Sequence, residues 1–487
     1  MSAVPEREKQ KDGLPKSQLI GLFLGPLFLL LTLVLPAPEG MNDAAWAATG
    51  MMLLMATWWS TEAIPIPATA LLPIVLVPAL GLGSVREATA PYANPIIFLF
   101  LGGFTLGLAM QRWNLHRRIA LLTLRSVGDK PKRQIAGFMI ATAFLSMWVS
   151  NTATSIMMLP IGLSVIAMME SSETDGLRRY ATALLLAIAY SASIGGIATL
   201  IGTPPNALLA AYLSENQGVS IGFAQWMLIG VPVTVLMLSL TWWWLTRKDF
   251  GLASHGDSGA LIRDELAALG PLQKGEKLVG IVFVLTASAW IFRPLLSDGL
   301  MPWLSDTGIA IAAALAMFLI PVNVKERLFV LDWETAQGIP WGVLLLFGGG
   351  LAMAGVISSS GLAEWIAESL SVAGHLPAII MIVLVAGVII FLTEVTSNTA
   401  TAAAFLPLLG ALAMSQDLSP LLLTVPAAIA ASCAFMMPVA TPPNAIVFSS
   451  GYIKIQDMIR AGFALNIMGI VVVTLLSYLL LGLVFSL

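Results

Sequence analysis

The sequence contains few of the residues that build most catalytic and metal centres. Among its 487 residues there is one cysteine, there are three histidines, and 10% of the residues are charged. The single cysteine, Cys433, excludes an internal disulfide and a cysteine-based metal site. His116, His255 and His375 share no metal-ligand spacing. We therefore predict that Cys433 serves packing and that the histidines lie in solvated connectors.

The low charge is accompanied by a very apolar composition. Hydrophobic residues make up 58% of the chain and the mean hydropathy is +0.89, far outside the range of soluble globular proteins. Apolar runs of about 17 to 25 residues, long enough to cross a bilayer, recur from 19–35 to 461–487. The first run lacks a convincing A-x-A cleavage site, which favours an uncleaved span over a signal peptide. The sequence predicts an all-α polytopic membrane protein without a soluble domain.

Eleven membrane spans are predicted from these runs. They are 18–37, 44–60, 66–82, 95–111, 178–212, 222–246, 276–293, 307–322, 341–358, 419–450 and 461–486. The fifth and the tenth are too long for a simple crossing and hold Pro-Pro in their interior. The segments 134–170 and 376–414 are predicted to be hairpins that enter and leave on one side, because an arm of about 16 residues is short for a full crossing.

The basic residues then fall almost entirely on one side of the membrane. Of 24 Lys and Arg residues, only Arg86 and Arg293 lie opposite the N-terminus. The positive-inside rule therefore predicts a cytoplasmic N-terminus and an outside C-terminus. The charged connector 247–276 is predicted to be a solvated cytoplasmic loop.

Two polar motifs occur twice, in the same order. "LSMWVSNTAT" at 145–154 and "LTEVTSNTAT" at 392–401 share Ser-Asn-Thr-Ala-Thr and a hydroxyl four residues before it, Ser146 or Thr393. "LIGTPPNALL" at 200–209 and "PVATPPNAIV" at 438–447 share Thr-Pro-Pro-Asn-Ala. Since the first hairpin opens to the inside and the second to the outside, the halves are predicted to be inverted repeats, as in many secondary transporters.

Each motif is expected to interrupt a helix. Proline cannot continue a preceding helix but suits the first helical position, and Ser or Thr suits the N-cap before it. Within hydrocarbon, such irregular backbone survives only where protein buries it or where it lines a cavity. Helix N-termini favour an anion, and carbonyl oxygens with Ser, Thr and Asn side chains suit Na⁺. A single such motif is more simply explained by Ser, Thr and Asn side chains that help membrane helices pack together. Two different motifs that recur in the same order favour a transport site instead.

None of the four motifs contains Lys or Arg. An anionic substrate must then be held by hydroxyls, amides, helix ends and bound cations, which predicts cation dependence. Glu394, which replaces Met147 of the first copy, is a functional candidate because intramembrane acids are rare. A coupling or network role, interfacial exposure and helix capping all remain open for it.

Glycines and tryptophans have simpler interpretations. The glycine-rich stretches around Gly102 and Gly348 lack the lysine and hydroxyl of a phosphate loop, so close helix packing is expected. Five tryptophans lie near predicted span ends, as an interfacial belt does: Trp58, Trp59, Trp242, Trp243 and Trp244.

The paired Ser-Asn-Thr and Thr-Pro-Pro-Asn motifs resemble those of the divalent anion:sodium symporter (INDY-like) family, over essentially the whole chain. The resemblance implies eleven transmembrane helices plus two re-entrant hairpins, a homodimer, a scaffold domain and a transport domain that moves as an elevator. It implies transport of C4-dicarboxylates such as succinate, malate and fumarate, and in some members of citrate or sulfate. No nucleic acid is expected as a partner.

The resemblance also implies site residues, carried over by position. One Na⁺ site would use Ser146, Ser150, Asn151 and backbone at Gly202, and its symmetry mate Thr393, Ser397, Asn398 and backbone at Ala440. The substrate would meet Asn151, Thr152, Asn398 and Thr399, with Thr203, Thr441 and Pro442 nearby. Thr203 departs from the family pattern, which has a small residue there.

On this basis the chain divides into segments: 1–17 cytoplasmic; 18–111 scaffold helices; 112–246 transport region with a hairpin at 134–170 and a broken helix at 178–212; 247–276 connector; 277–358 scaffold helices; and 359–487 transport region with a hairpin at 376–414 and a broken helix at 419–450.

The expected function is Na⁺-coupled dicarboxylate symport in a bacterial inner membrane. The alternatives are a sodium-independent exchanger or a sulfate or citrate transporter. A channel is a further alternative, which uphill accumulation of substrate would exclude. A membrane enzyme is another, but no nucleophile-base pair or metal cluster in the sequence supports it.

Overall fold

The computed structural model describes residues 15–128, 130–169, 175–252, 258–297, 301–371 and 376–485. His255 and His375, predicted to lie in connectors, fall outside the described residues. The described part is dominated by helices, which confirms the all-α polytopic prediction. A single two-stranded antiparallel ribbon of β1 (Pro321–Asn323) and β2 (Leu328–Phe329) is the only sheet in the described ranges.

The helices of the first half are α1 (Lys16–Val34), α2 (Asp43–Thr61), α3 (Ile66–Thr69), α4 (Leu72–Ala79), α5 (Val85–Thr89), a 3₁₀ turn (Ala90–Ala93), α6 (Pro95–Arg112), α7 (Leu115–Val127), α8 (Pro131–Ser146), α9 (Asn151–Met168), α10 (Asp175–Gly196), α11 (Pro204–Asn216) and α12 (Phe223–Thr246). Those of the second half are α13 (Ser258–Ala268), α14 (Lys274–Ser297), α15 (Asp306–Leu319), α16 (Trp333–Ala336), α17 (Trp341–Ser359), α18 (Leu362–Ser371), α19 (Ala378–Leu392), α20 (Asn398–Ser415), α21 (Leu421–Ala431), α22 (Pro442–Phe448) and α23 (Ile455–Phe485).

Among the described helices, eight stretches are long and apolar enough to cross a membrane. They include α9 and α20, the second arms of the two hairpins, at 18 residues each. Their length alone therefore does not distinguish a re-entrant arm from a full crossing. The predicted span 66–82 is instead divided between the short helices α3 and α4, and Pro73 lies in the first turn of α4, where proline favours helix initiation.

The two halves present the same succession of helices from α6 and α17 onward. A glycine-rich helix is followed by an amphipathic helix (α7 or α18), a hairpin (α8–α9 or α19–α20), an interrupted pair (α10–α11 or α21–α22) and a long helix (α12 or α23). The interrupted pairs break where the Thr-Pro-Pro-Asn motifs lie, because Pro204 and Pro442 begin α11 and α22.

The halves interlock through these interrupted pairs. The short helix α11 packs against α20 of the second hairpin, and α22 packs against α9 of the first. The long helices α12 and α23 also pack against each other. Each hairpin is thus completed by a helix from the opposite half, which brings the four motifs together.

The ends of the bundle are held by polar contacts. At one end, ion pairs join α6 and α7 to the second half: Arg112–Asp332, Arg117–Glu265 and Arg118–Glu276. At the other end, the Arg293 Nε lies 2.7 Å from the Asp306 Oδ1. These contacts tie together the helices that surround the motifs.

The glycine-rich helices make close contacts, as predicted. A Cβ built on Gly102 would lie 2.6 Å from the Ala310 backbone of α15. One built on Gly349, beside Gly348, would lie 2.3 Å from the Ala70 carbonyl oxygen. Larger residues at these positions would force the helices apart, so the packing prediction is confirmed.

Other predictions from the sequence have mixed outcomes. Cys433 is fully buried, as expected of a packing residue. Trp59 is 1% exposed, so it belongs to the interior rather than to an interfacial belt. His116 is wrongly predicted as solvated: it lies on α7, half-buried, with Nδ1 3.1 Å from the Met110 carbonyl oxygen. Burial lowers the pKa of this histidine.

Candidate functional site

The tip of the first hairpin joins α8 to α9 through residues 147–150. Ser150 is the N-cap of α9, and its Oγ accepts a hydrogen bond from the Ala153 N–H at 3.3 Å. The N–H groups of Asn151 and Thr152, at the first two helical positions, have no intrahelical carbonyl to bond. The tip therefore offers backbone donors at a helix N-terminus.

Three oxygen atoms converge just behind this tip. The Ser146 Oγ lies 2.6 Å from both the Asn151 Oδ1 and the carbonyl oxygen of Ala192. A hydroxyl carries one proton and can donate it to one of these acceptors only. The cluster thus has more acceptor oxygens than protons, an arrangement that a small hard cation would satisfy.

The second hairpin repeats this geometry. Ser397 caps α20 by accepting from the Ala400 N–H at 3.5 Å. The Thr393 Oγ1 lies 2.6 Å from the Asn398 Oδ1 and 3.0 Å from the Ala431 carbonyl oxygen. A threonine thus makes the contacts that Ser146 makes in the first half, again with one proton shared between two acceptors.

The asparagines of the Thr-Pro-Pro-Asn motifs hold the helix breaks. The Asn206 Nδ2 lies within hydrogen-bond distance of three carbonyl oxygens, those of Gly196, Ile197 and Thr199. The Asn444 Nδ2 likewise donates to the Ala434 and Met437 carbonyl oxygens. Both side chains are fully buried. They satisfy carbonyl groups that the broken helices leave without partners.

The first break also folds back on itself. A Cβ built on Gly202 would lie 2.4 Å from the Gly196 carbonyl oxygen, and one built on Gly196 would lie 2.8 Å from the Asn151 Oδ1. A side chain at Gly196 would therefore collide with the Asn151 Oδ1 of the oxygen cluster, and one at Gly202 would collide with the Gly196 backbone. This close approach brings the Gly202 backbone next to the first hairpin tip.

Glu394 has a structural role that the sequence left open. Its carboxylate is 3% exposed and accepts hydrogen bonds from the backbone N–H groups of three consecutive residues, Phe435, Met436 and Met437, at 2.7–3.0 Å. The Asn466 Nδ2 of α23 donates to it at 2.9 Å. Interfacial exposure is therefore wrong for Glu394, and its bonds make it the centre of a buried network.

A cavity of about 1110 Å³ connects the two hairpin tips. It extends between the helices to Ser17, Gln111 and Gly338, near the end of the bundle where α1 begins. Among the described residues that line it, there is no Lys or Arg, and Glu62 is the only acid. Polar binding in the cavity must therefore come from hydroxyls, amides and backbone groups.

The structure brings the predicted site residues together around this cavity. Those that line it are Ser150, Asn151, Thr152, Gly202, Thr203, Ser397, Asn398, Thr399, Ala440, Thr441 and Pro442. Ser146 and Thr393 are the two that do not; both are fully buried behind the tips. Thr203 also reaches the opposite half, where the Ser432 Oγ lies 3.5 Å from its Oγ1.

Several contributors were missed from the sequence. Asn206 and Asn444 belong to the quoted motifs but received no role, although their repetition at corresponding positions was a visible signal. Thr199 and Asn466 carry no such signal. The Thr199 Oγ1 donates to the Met147 carbonyl oxygen at 2.6 Å. Their partners lie 52 and 72 residues away.

Aromatic rings cover one side of the first tip. Trp148 stacks 6.3 Å from Trp290 and meets Phe283 edge-on at 5.0 Å between ring centroids. Phe223 stacks on Trp290 at 4.5 Å. In the second tip the corresponding residue is Val395; both residues line the cavity, but Val395 is 66% exposed and Trp148 is 8% exposed. The two tips therefore differ in access.

Comparison with known proteins finds a matching family model and similar curated proteins. The model of the sodium:sulfate symporter transmembrane region matches residues 16–487. A sodium-dependent dicarboxylate transporter, SdcS, of Staphylococcus saprophyticus is 45% identical over 97% of this chain and 93% of its own length. The Staphylococcus aureus (strain USA300) protein of the same name is 43% identical over the same shares.

Two solved structures share the fold at low sequence identity. The YdaH transporter of Alcanivorax borkumensis aligns with a TM-score of 0.59 at 14% identity, covering 97% of this chain and 99% of that one. MtrF of Neisseria gonorrhoeae aligns with a TM-score of 0.57 at 13% identity, covering 96% and 95%. The family and these relatives are transporters and not enzymes. Because the family model matches residues 16–487 and a relative is 45% identical over 97% of the chain, the chain belongs to the sodium:sulfate symporter family, the divalent anion:sodium symporters that its sequence resembles.

Proposed function

We propose that this protein is a Na⁺-coupled symporter that carries C4-dicarboxylates such as succinate, malate and fumarate into the cell. The observation that carries the proposal is the pair of oxygen clusters, at Ser146 and at Thr393, on either side of a cavity whose described lining contains no Lys or Arg. A dianion there needs cations for charge balance. The sodium-dependent dicarboxylate transporters at 43–45% identity support this substrate class.

The clusters are proposed to be the Na⁺ sites. In the first, Na⁺ would be held by Ser146, Ser150, Asn151 and backbone at Gly202. In the second it would be held by Thr393, Ser397, Asn398 and backbone at Ala440. Hydroxyl, amide and carbonyl oxygens are suitable ligands for a hard monovalent cation. Because Asn151 and Asn398 also line the cavity, each would join a Na⁺ site to the substrate.

The substrate is proposed to lie between the two tips. One carboxylate would meet Asn151 and Thr152 at the N-terminus of α9, and the other Asn398 and Thr399 at the N-terminus of α20. These helix ends favour negative charge. Thr203, Thr441 and Pro442 border the same cavity and would limit the length of the substrate. No covalent step is required, so specificity follows from shape and from the spacing of the two anion seats.

We also infer an inward-facing state. The cavity reaches the end of the bundle where α1 begins, which the positive-inside rule assigns to the cytoplasm of a bacterial inner membrane. The aromatic rings of Phe223, Phe283 and Trp290 cover the first tip on its other side. Transport would require the two hairpins and interrupted helices to move against a scaffold in an elevator fashion, within a homodimer embedded in lipid.

Uptake into proteoliposomes tests the proposal. The purified protein is reconstituted, and accumulation of labelled succinate is measured with an inward Na⁺ gradient or with choline replacing Na⁺, without counter-substrate inside. The proposal predicts accumulation with Na⁺ only. Equal accumulation in choline would refute symport.

Two further arms separate the alternatives. Uptake that needs internal dicarboxylate but no Na⁺ would identify an exchanger. Competition of labelled succinate by unlabelled malate, fumarate, citrate and sulfate ranks the substrates, and stronger competition by sulfate or citrate would replace the C4-dicarboxylate assignment.

A further inference from the structure

A second cavity lies apart from the substrate site. It encloses about 550 Å³ between the beginning of α10, the end of α12 and the beginning of α23. It shares no lining residue with the cavity between the hairpin tips. It therefore needs an explanation other than substrate transport.

The described lining of this cavity is rich in basic side chains. Five are basic, namely Arg178, Arg179, Arg247, Lys248 and Arg460, and two are acidic, Asp175 and Asp457. The ion pairs between described residues involve none of these seven side chains. Both acids lie in the first turn of a helix, α10 or α23, where a carboxylate offsets the helix dipole. The described lining thus retains an excess of positive charge.

The arginines are arranged to recognise an anion. The Arg247 guanidinium lies 3.2 Å from the centroid of the Trp244 ring, which supports the cation without consuming its N–H donors. Arg179 donates from Nε to the Asp175 carbonyl oxygen at 3.3 Å, which leaves its terminal nitrogens for another acceptor. Guanidinium groups match the oxygens of a phosphate in geometry as well as in charge.

The opposite wall of the cavity is apolar and lies at the level of aromatic residues. Ala183, Leu186 and Leu245 contribute to this wall. Trp242 and Trp243, in the same turn of α12, are 37% and 53% exposed, as is usual for side chains at the headgroup level of a bilayer. A ligand with an anionic head and an apolar tail fits both walls.

We propose that this cavity binds a phosphate group, supplied by the headgroup of an anionic membrane phospholipid. The basic side chains hold the phosphate, and the apolar wall contacts the beginning of the acyl region. Basic clusters on the cytoplasmic side of membrane helices attract anionic lipid in the same way. The proposal does not depend on the identity of the transported substrate.

Lipid binding to the purified full-length protein tests the proposal. Delipidated protein in neutral detergent is titrated with phosphatidylglycerol and with phosphatidylcholine of the same chain length, and bound lipid is counted by native mass spectrometry. Arg178→Gln/Arg247→Gln/Arg460→Gln is compared with Arg125→Gln/Lys277→Gln/Lys325→Gln, which removes the same charge elsewhere. Each lysine or arginine near a headgroup changes affinity about fivefold, so the cavity variant should bind phosphatidylglycerol about a hundredfold more weakly. The control variant should bind it as the unaltered protein does.

The outcomes separate the possible sources. Equal weakening in both variants, or no preference for phosphatidylglycerol over phosphatidylcholine in the unaltered protein, would overturn the proposal. Inorganic phosphate that displaces phosphatidylglycerol and binds as tightly would overturn the lipid as the source. In the unaltered protein, raising KCl should weaken phosphatidylglycerol binding but not phosphatidylcholine binding. This last test stands even if the cavity variant does not fold.

Discussion

The Glu394 carboxylate and the Asn466 amide, 72 residues apart in the chain, are joined by a hydrogen bond of 2.9 Å. With the N–H groups of Phe435 to Met437, this contact links the second hairpin tip to the break after α21 and to α23. The first half has Met147 in the place of Glu394. One of the two hairpin tips therefore carries a buried acidic side chain that the other lacks.

Glu394→Gln should weaken the second cation site. The substitution removes the charge and turns an amide NH₂ toward backbone donors, and each charge-assisted hydrogen bond is worth about 1.5–3 kcal/mol. We expect the Na⁺ concentration for half-maximal uptake to rise about tenfold or more. Na⁺-dependent uptake and the Na⁺-induced rise in melting temperature measure the effect. Glu394→Asp serves as the control that retains the carboxyl group. An unchanged Na⁺ dependence in Glu394→Gln would contradict a contribution of Glu394 to the second cation site.

Ser146→Ala and Thr393→Val should each impair one cation site. Each removes a single oxygen from a cluster while keeping most of the packing volume. Loss of one ligand oxygen should raise the Na⁺ requirement about ten- to hundredfold, by analogy with loss of a hydrogen bond to a charged group. Thr393→Ser, which restores the residue type of the first half, should retain Na⁺ dependence. Succinate uptake as a function of Na⁺ checks all three variants.

Asn151→Ala and Asn398→Ala should alter the Na⁺ and the succinate dependence together. Each side chain is proposed to contact both a cation and the substrate, unlike those of Ser146 and Thr393. The two dependences are measured separately, by varying one ligand at saturation of the other. Unchanged uptake in both variants would remove these residues from the site.

Asn206→Ala should destabilise the protein more than it changes selectivity. It leaves buried carbonyl groups at the first helix break without a donor, which costs about 1–3 kcal/mol for each such group. We expect a lower melting temperature in detergent and reduced yield of folded protein, with unchanged ranking of dicarboxylates in competition assays. A matched loss in Asn444→Ala would support the equivalent role of the two asparagines.

Trp290→Ala should expose the first hairpin tip from outside. The substitution removes stacking on Trp148 and Phe223, and aromatic pairs contribute about 0.5–1.5 kcal/mol each beyond their buried area. A cysteine introduced at Val149 should then react about tenfold faster with a membrane-impermeant thiol reagent added outside. The native Cys433, fully buried, provides the unreactive background. Equal labelling with and without Trp290 would refute the covering role.

The motifs and the order of helices were predictable from the sequence because both halves repeat them. Paired Ser-Asn-Thr and Thr-Pro-Pro-Asn segments marked the helix starts that occur at Asn151, Pro204, Asn398 and Pro442. Proline and N-cap residues act locally, so their effect on the backbone can be inferred from a few neighbours.

Contacts between distant segments were not predictable in this way. The hydrogen bonds of Glu394 with the break after α21, the rings around Trp148 and the burial of Trp59 depend on tertiary packing. The sequence could mark Glu394 as unusual but could not choose between exposure and a buried network. The division of 66–82 into α3 and α4 was missed because its apolar composition suits one span.

The interlocking of the halves has a consequence for biosynthesis. The helix α22, near residue 445, completes the packing of α9, which begins near residue 151. The first hairpin therefore remains incompletely packed in the membrane until almost the whole chain has left the ribosome. A truncation before Pro442 should leave the first hairpin without α22, its partner from the second half, so such products are expected to be substrates for membrane quality control rather than half-active transporters.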